Sequence, residues 1–203
     1  MSRFDAFLDR IALDTYPEPI TPGHAQITRE MFERVLEFLP KAARVPRVLD
    51  VGCGQGRALE LFEEQGFIAT GISTNNEDVA VCKKRGFDVR KMDQNGIALV
   101  FTGGFDLIWA RHVLEHSVAP YWTLTEFNRV CRPGGILYVE VPAPDTACHH
   151  ETNKNHYSCL TWSTWSSLIP RAGWTILEGR KIGLHTQAGP DEYWSWICRK
   201  EKA

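Results

Sequence analysis

The chain has 203 residues, 43% hydrophobic and 24% charged, with 23 Lys plus Arg against 25 Asp plus Glu for a formal net charge of -2. That length suits one hydrophobic core, since chains divide mainly beyond about 250 residues. The balanced charge excludes the clustered basic excess of phosphate-neutralising domains, and no apolar run approaches the roughly 18 residues of a membrane span.

The first segment reads as two helices. Phe4, Phe7, Leu8 and Ile11 recur at helical spacing, and Arg3, Asp5, Asp9 and Arg10 among them argue against a secretory leader. Tyr16-Pro17-Glu18-Pro19 breaks the chain, because each proline restricts itself and its predecessor. Thr21-Pro22 then supplies a cap and a first-turn proline for a helix whose stripe is Ile27, Met31, Val35, Leu36 and Leu39. From Arg47 onward strands alternate with helices: strand 48–51, helix 57–65, strand 67–72, helix 75–85, strands 87–91 and 105–110, helix 121–131. Glu77 and Asp78 fall in the first turn of helix 75–85, where the dipole favours negative charge. Pro133-Gly134-Gly135 predicts a turn before strand 136–141, and helix 161–172 and strands 174–182 and 192–198 close the pattern. Such alternation predicts a parallel sheet covered on both faces. Trp162, Trp165, Trp174, Trp194 and Trp196 crowd the last segment, and their spacing assigns most of them to the core. Cys53, Cys82, Cys131, Cys148, Cys159 and Cys198 form no C-x-x-C pair, which suits reduced thiols and a cytoplasmic location.

The most informative segment is Val48-Leu49-Asp50-Val51-Gly52-Cys53-Gly54-Gln55-Gly56. Alternate glycines after a buried strand let the backbone turn sharply and lie against a ligand. The helix that follows offers unpaired N–H groups to an anion. The spacing is G-x-G-x-G, whereas a dinucleotide fingerprint needs G-x-G-x-x-G, so a nicotinamide oxidoreductase is disfavoured.

With three further blocks, Met92-Asp93-Gln94, residues 105–117 (FDLIWARHVLEHS) and residues 129–142 (RVCRPGGILYVEVP), the chain resembles the class I S-adenosylmethionine-dependent methyltransferases of the small, type-11 group. The resemblance implies a Rossmann-like three-layer α/β sandwich with a mostly parallel seven-stranded sheet and an antiparallel last strand. Residues 1–46 would form a helical cap and 47–203 the methyltransferase domain, one domain in all. It implies S-adenosylmethionine as cofactor, with S-adenosylhomocysteine as product. The loop of Gly52, Cys53, Gly54, Gln55 and Gly56 would wrap its methionine part and Asp50 its amino group. Asp93 would take the adenine amine, Gln94 would neighbour the ring, and Arg111 and His112 would stand beside the sulfur.

One position departs from the family. Ser73 stands where an acid usually grips the ribose hydroxyls, so either Asn75 or Glu77 supplements it, or the cofactor binds more weakly than usual, or Ser73 merely caps the next helix. For a proton acceptor, Arg111/His112, Glu115/His116, His149/His150 and His156 compete, and His156 is favoured, then His116. A scaffold role is the alternative for both. His112, Glu115, His116 and His156 resemble in part the metal set of small-RNA 2′-O-methyltransferases. A histidine replaces the first acid, which would shift the preference toward softer transition metals; the other RNA-recognition elements of that family are not evident, and no divalent metal is expected. The expected partner is a small-molecule acceptor with an oxygen or nitrogen nucleophile, with no membrane and no nucleic acid. An RNA or protein methyltransferase and a non-catalytic cofactor-binding module are the alternatives.

Overall fold

The computed structural model describes residues 3–11, 22–40 and 43–201. The break at Tyr16 to Pro19 and the Thr21 cap lie outside these residues, as do the side chains of Phe4 and Leu8. Two helices, α1 (Arg3–Ile11) and α2 (Pro22–Leu36), precede β1 (Arg47–Val51), α3 (Arg57–Glu64), β2 (Ile68–Ser73), α4 (Asn76–Lys84) and β3 (Val89–Lys91). There follow α5 (Ile97–Val100), β4 (Phe105–Arg111), α6 (Pro120–Val130), β5 (Cys131–Pro142), α7 (Trp162–Arg171), β6 (Trp174–Thr186) and β7 (Gly189–Lys200).

The seven strands lie in the order β3-β2-β1-β4-β5-β7-β6. β1 to β5 run parallel, and β7 inserts antiparallel between β5 and β6. The order reverses between β1 and β4, which opens a crevice at their carboxyl ends, where open α/β sheets receive ligands. The expected Rossmann-like three-layer sandwich with an antiparallel last strand is therefore present.

Strand alternation divides the core into two layers. Leu49, Val51, Ile108 and Ala110 pack with Leu124, Phe127, Trp165 and Ile169 of α6 and α7. Val48, Leu107, Trp109 and Tyr138 face the opposite way, toward Leu59 and Phe62 of α3 and Met31, Phe32 and Val35 of α2. Two residues above Val48, Trp109 and Tyr138 on that second face come Asp50, Arg111 and Glu140. The apolar layer is thus capped by a polar one at the crevice.

Three boundaries differ from expectation. β5 begins at Cys131, before the Pro133-Gly134-Gly135 turn, and absorbs that turn as a register shift against β4, with Gly134 at φ +76°. The last two strands are much longer than 174–182 and 192–198, because a two-residue turn at Gln187-Ala188 pairs them along their length. Ile97 to Phe101, read only as an apolar run, contains the short helix α5. Trp165, Trp174, Trp194 and Trp196 are buried, as their spacing predicts.

Candidate active site

The glycine loop leaves β1 with Gly52, Gly54 and Gly56 at φ +68°, +48° and +88°. A Cβ on Gly52 would lie 2.5 Å from the Val113 side chain, so this turn admits only glycine. Two cavities meet over the loop. The first encloses about 810 Å³, is lined by Ser73, Asn75, Asp78, Asp93 and Gln94, and receives Ile11 from α1. The second encloses about 1320 Å³ and is lined by Asp50, Arg57, Arg111, Glu115, His150 and Tyr193, with His24 from α2. Both volumes count the space open at the mouth, and Gly52, Gly54, His112 and His116 border both cavities.

Of the expected cofactor residues, Ser73, Asp93 and Gln94 line the first cavity, and Asp50, Cys53, Gln55 and Arg111 the second. Gly56 lines neither. A Cβ there would lie 2.9 Å from the Phe87 ring and 3.1 Å from the Cys82 sulfur, so its reason is the packing of α3 against the segment ahead of β3. Asp50 is 2% exposed, and its Oδ2 is buried with no hydrogen-bond partner among the described residues. Burial raises its pKa well above the ordinary carboxylate value, Cys82 adds to this, and Arg111 opposes it. Gln94 donates from Nε2 to the Val113 carbonyl at 3.0 Å, while its Oε1 is also buried and unpartnered. A carboxylate lacking a cation and an amide oxygen lacking a donor fit the amino and adenine ends of S-adenosylmethionine. Asp93 Oδ1 accepts from the Asn95 backbone N–H and side-chain amide, each at 2.7 Å.

Glu140 holds the polar layer together. Its Oε1 lies 2.7 Å from Arg111 Nε and 3.0 Å from His112 Nε2, and the Tyr138 hydroxyl donates to its Oε2. Burial would raise the Glu140 pKa, but Arg111 and His112 hold it at about 2. His112 Nδ1 lies 3.4 Å from Glu115 Oε1. Burial and Arg111 alone would lower His112, yet the neighbouring carboxylates of Glu115 and Glu140 raise it to about 9. At neutral pH His112 is therefore an imidazolium, held at φ +53° by this network and by its backbone N–H bond to the Glu140 carbonyl at 2.8 Å.

The histidines converge from four segments. His116 Nδ1 contacts the Asn155 carbonyl at 3.0 Å, and its ring meets that of His156 at 4.7 Å between centroids. Burial lowers His156 to a pKa of about 4, and His116 and His150 push the same way against Glu115. His150 Nε2 lies 3.0 Å from both oxygens of Asp191, a buried carboxylate that also accepts from the Glu192 backbone N–H. His24 Nε2 contacts the Tyr193 hydroxyl at 3.1 Å and tethers α2 to β7. Glu115, His116 and His156 also offer ligand atoms within 4.8 Å of one another, as do Cys148, His150 and Asp191. A divalent ion at the first group would face the His112 imidazolium on the same carboxylate, an opposition of like charges.

Sequence reasoning did not single out His24, Arg57, Asp191 or Tyr193. Glu140 carried a signal, a lone charge inside an apolar strand. The aromatic side chains that line the second cavity are Trp109 and Tyr193, not any of the five C-terminal tryptophans.

Residues 24–177 match a methyltransferase domain family. The 27-O-demethylrifamycin SV methyltransferase of Amycolatopsis mediterranei is 28% identical over 179 residues, 80% of this chain and 65% of that protein. The ubiquinone biosynthesis O-methyltransferase of Dechloromonas aromatica is 32% identical over 99 residues, 46% of this chain and 43% of that one. The chain therefore spans less than two thirds of either relative's length. Among solved structures, the [4+2]-cyclase SpnF superposes with a TM-score of 0.70 at 21% identity, covering 86% of this chain and 81% of that one. A SAM-dependent methyltransferase from Archaeoglobus fulgidus gives 0.64 at 20% identity, covering 85% and 94%. These two likenesses concern the fold. Taken with the glycine loop and the unpartnered Asp50 oxygen, the family match over most of the chain means that it belongs to the methyltransferase domain family, among the class I S-adenosylmethionine-dependent methyltransferases.

Proposed function

We propose that the chain is a metal-independent enzyme that methylates an oxygen or nitrogen of a small molecule. The reading rests chiefly on two cavities joined at Gly52, Gly54, His112 and His116. One offers the nucleoside residues Asp93 and Gln94, the other a cluster of histidines. When bound, S-adenosylmethionine would supply an electrophilic methyl group. Asp50 would hold its ammonium group, the turn at Gly52 would let the backbone approach it, and Arg57 at the second cavity would take its carboxylate.

The acceptor would occupy the second cavity. His116 and His156, the two histidines ranked first from the sequence, stand where that cavity meets His112, and they would orient the acceptor through hydrogen bonds. His156 stays neutral above about pH 4, so one ring nitrogen keeps a lone pair, but it binds a proton weakly. His150 is better placed to take the acceptor's proton. Donation from Nε2 to Asp191 leaves the lone pair on Nδ1, and Asp191 would stabilise the imidazolium that forms. The names of the rifamycin and ubiquinone relatives support a small hydroxylated acceptor. Six cysteines without a disulfide support a reducing compartment such as the cytoplasm. No described helix is long and apolar enough to cross a membrane. The described part of residues 1–46 would act as a cap on a single domain, with Ile11 and His24 lining the two cavities.

Calorimetry with S-adenosylhomocysteine, followed by incubation with S-adenosylmethionine and catechol-type or amine probes, tests the reading. Binding to one site, and homocysteine-nucleoside release that depends on a probe, are expected. No binding at millimolar ligand overturns it.

A further inference from the structure

The loop after β5 carries a thiol and an imidazole one residue apart, Cys148 and His150. Backbone bonds pin this loop to the start of β7. The Ala143 N–H donates to the Glu192 carbonyl at 2.9 Å, and the Ala147 N–H to the Pro190 carbonyl at 3.2 Å. Their acceptors flank Asp191 on either side, so the fold brings the thiol, the imidazole and this buried carboxylate together. Cys148, His150 and Asp191 offer ligand atoms that all lie within 4.8 Å of one another. Each is also oriented from outside. Thr186 Oγ1 of β6 lies 3.2 Å from Cys148 Sγ, and the Glu192 backbone N–H donates to Asp191 Oδ1 at 2.9 Å. His150 turns Nε2 to the carboxylate, 3.0 Å from either oxygen. Outer bonds of this kind aim the ligands of metal sites.

The donor set has a chemistry of its own. Thiolate and imidazole select zinc and its late transition-metal neighbours, whereas magnesium and calcium prefer all-oxygen sets. Ligand atoms of a tetrahedral zinc ion stand roughly 3.3–3.8 Å apart, so closing this group takes about an ångström of side-chain movement. His150 lines the second cavity, which brings water within reach of a fourth position. The other group, Glu115, His116 and His156, contains no thiol. The two groups can therefore be told apart by spectroscopy.

We propose that Cys148, His150 and Asp191 form a site for a zinc-class divalent ion, which the enzyme does not need and which switches it off. On binding, the Cys148 thiol gives its proton to water and the ion takes Nε2 of His150. The imidazole proton moves from Nε2 to Nδ1. It then fills the lone pair that would otherwise receive the proton of the methyl acceptor. Metal and substrate proton exclude each other at one imidazole. The binding claim stands on its three ligands alone, whereas the inhibition rests on His150 being the proton acceptor.

The test is titration of the full chain with Co2+, under a phosphine reductant, followed by displacement with Zn2+. One ion per chain should bind with a thiolate-to-cobalt charge-transfer absorption. Cys148→Ala should abolish that absorption and weaken Zn2+ at least about tenfold in chelator competition, the lower end of what even an outer partner contributes. Cys159→Ala is the control for the other group, since Cys159 Sγ lies 3.9 Å from His156 Nδ1, and it should change neither readout. An unchanged affinity of Cys148→Ala for S-adenosylhomocysteine reports that the variant is folded. No absorption in the parent, its persistence in Cys148→Ala, or its loss in Cys159→Ala overturns the site. Turnover of an accepted probe should be lost in saturating Zn2+, and Cys148→Ala should work equally well without zinc while resisting it. Zinc held through Cys148 with turnover unimpaired upholds the site but strikes the inhibition, and with it His150 as the proton acceptor.

Discussion

At the scale of single residues, the site holds charge that the fold alone would not choose. Asp50 keeps an unpartnered buried oxygen, and burial is the main cause of its raised pKa. The folded chain therefore binds its proton more tightly than the unfolded chain does, and stability falls as pH rises above the ordinary carboxylate value. Asp50→Asn should stabilise the ligand-free protein by about 1–3 kcal/mol in urea unfolding at pH 7. The same change should weaken S-adenosylhomocysteine at least about tenfold in calorimetry, since a charged hydrogen bond is lost. Glu140 makes the opposite case. Its pKa is depressed to about 2, so its contribution is full above the ordinary 4.5 and is lost as pH falls through about 2. His112 is raised to about 9, so its contribution is full below 6.5 and is lost as pH rises through about 9. Between those limits Glu140→Gln leaves Arg111 buried without its counter-charge and His112 with Glu115 alone. A loss of about 3–5 kcal/mol in urea unfolding is expected, and a loss below about 1 would refute the network.

At the scale of elements, the sequence disclosed what is local and concealed what is distant. Strands β1, β2 and β4 announced themselves through short apolar runs ended by Gly, Ser or Arg. The glycine loop was legible because its left-handed turns demand glycine. His24 and Tyr193, by contrast, touch across 169 positions, and His150 and Asp191 across 41. No periodicity reports such pairs. The hairpin of β6 and β7 was underestimated because Gly189-Pro190 reads as a breaker, whereas Pro190 pairs with His185 near the strand start. That hairpin delivers Asp191 to the loop bearing His150. Asp191→Asn should leave the affinity for S-adenosylhomocysteine unchanged. Turnover of an accepted probe should fall about 100-fold or more, with the rate rising at higher pH, because the imidazole loses its orienting carboxylate. Equal turnover in the variant would return the proton to His156.

At the scale of the whole molecule, the middle of the chain builds most of the first cavity, while segments near both described ends complete the second. α2 brings His24, and β7 brings Tyr193 to meet it. Ile11 of α1 lines the first cavity as well. Hydrogen exchange in α1 should therefore slow when S-adenosylhomocysteine is added, and an unchanged rate would separate that helix from the ligand.

The position of β7 also bears on how the protein is made. It is synthesised after β6, yet it lies between β5 and β6, and β6 has no other neighbour in the sheet. During translation β6 therefore emerges with nowhere to dock, and the parallel half waits with β5 as a temporary edge. Sheet completion must follow the emergence of β7 from the ribosome. Until then the nascent chain exposes β5, a strand buried on both faces and pairing-competent along its edge, which is the interval when a chaperone or a premature stop in β7 would matter most.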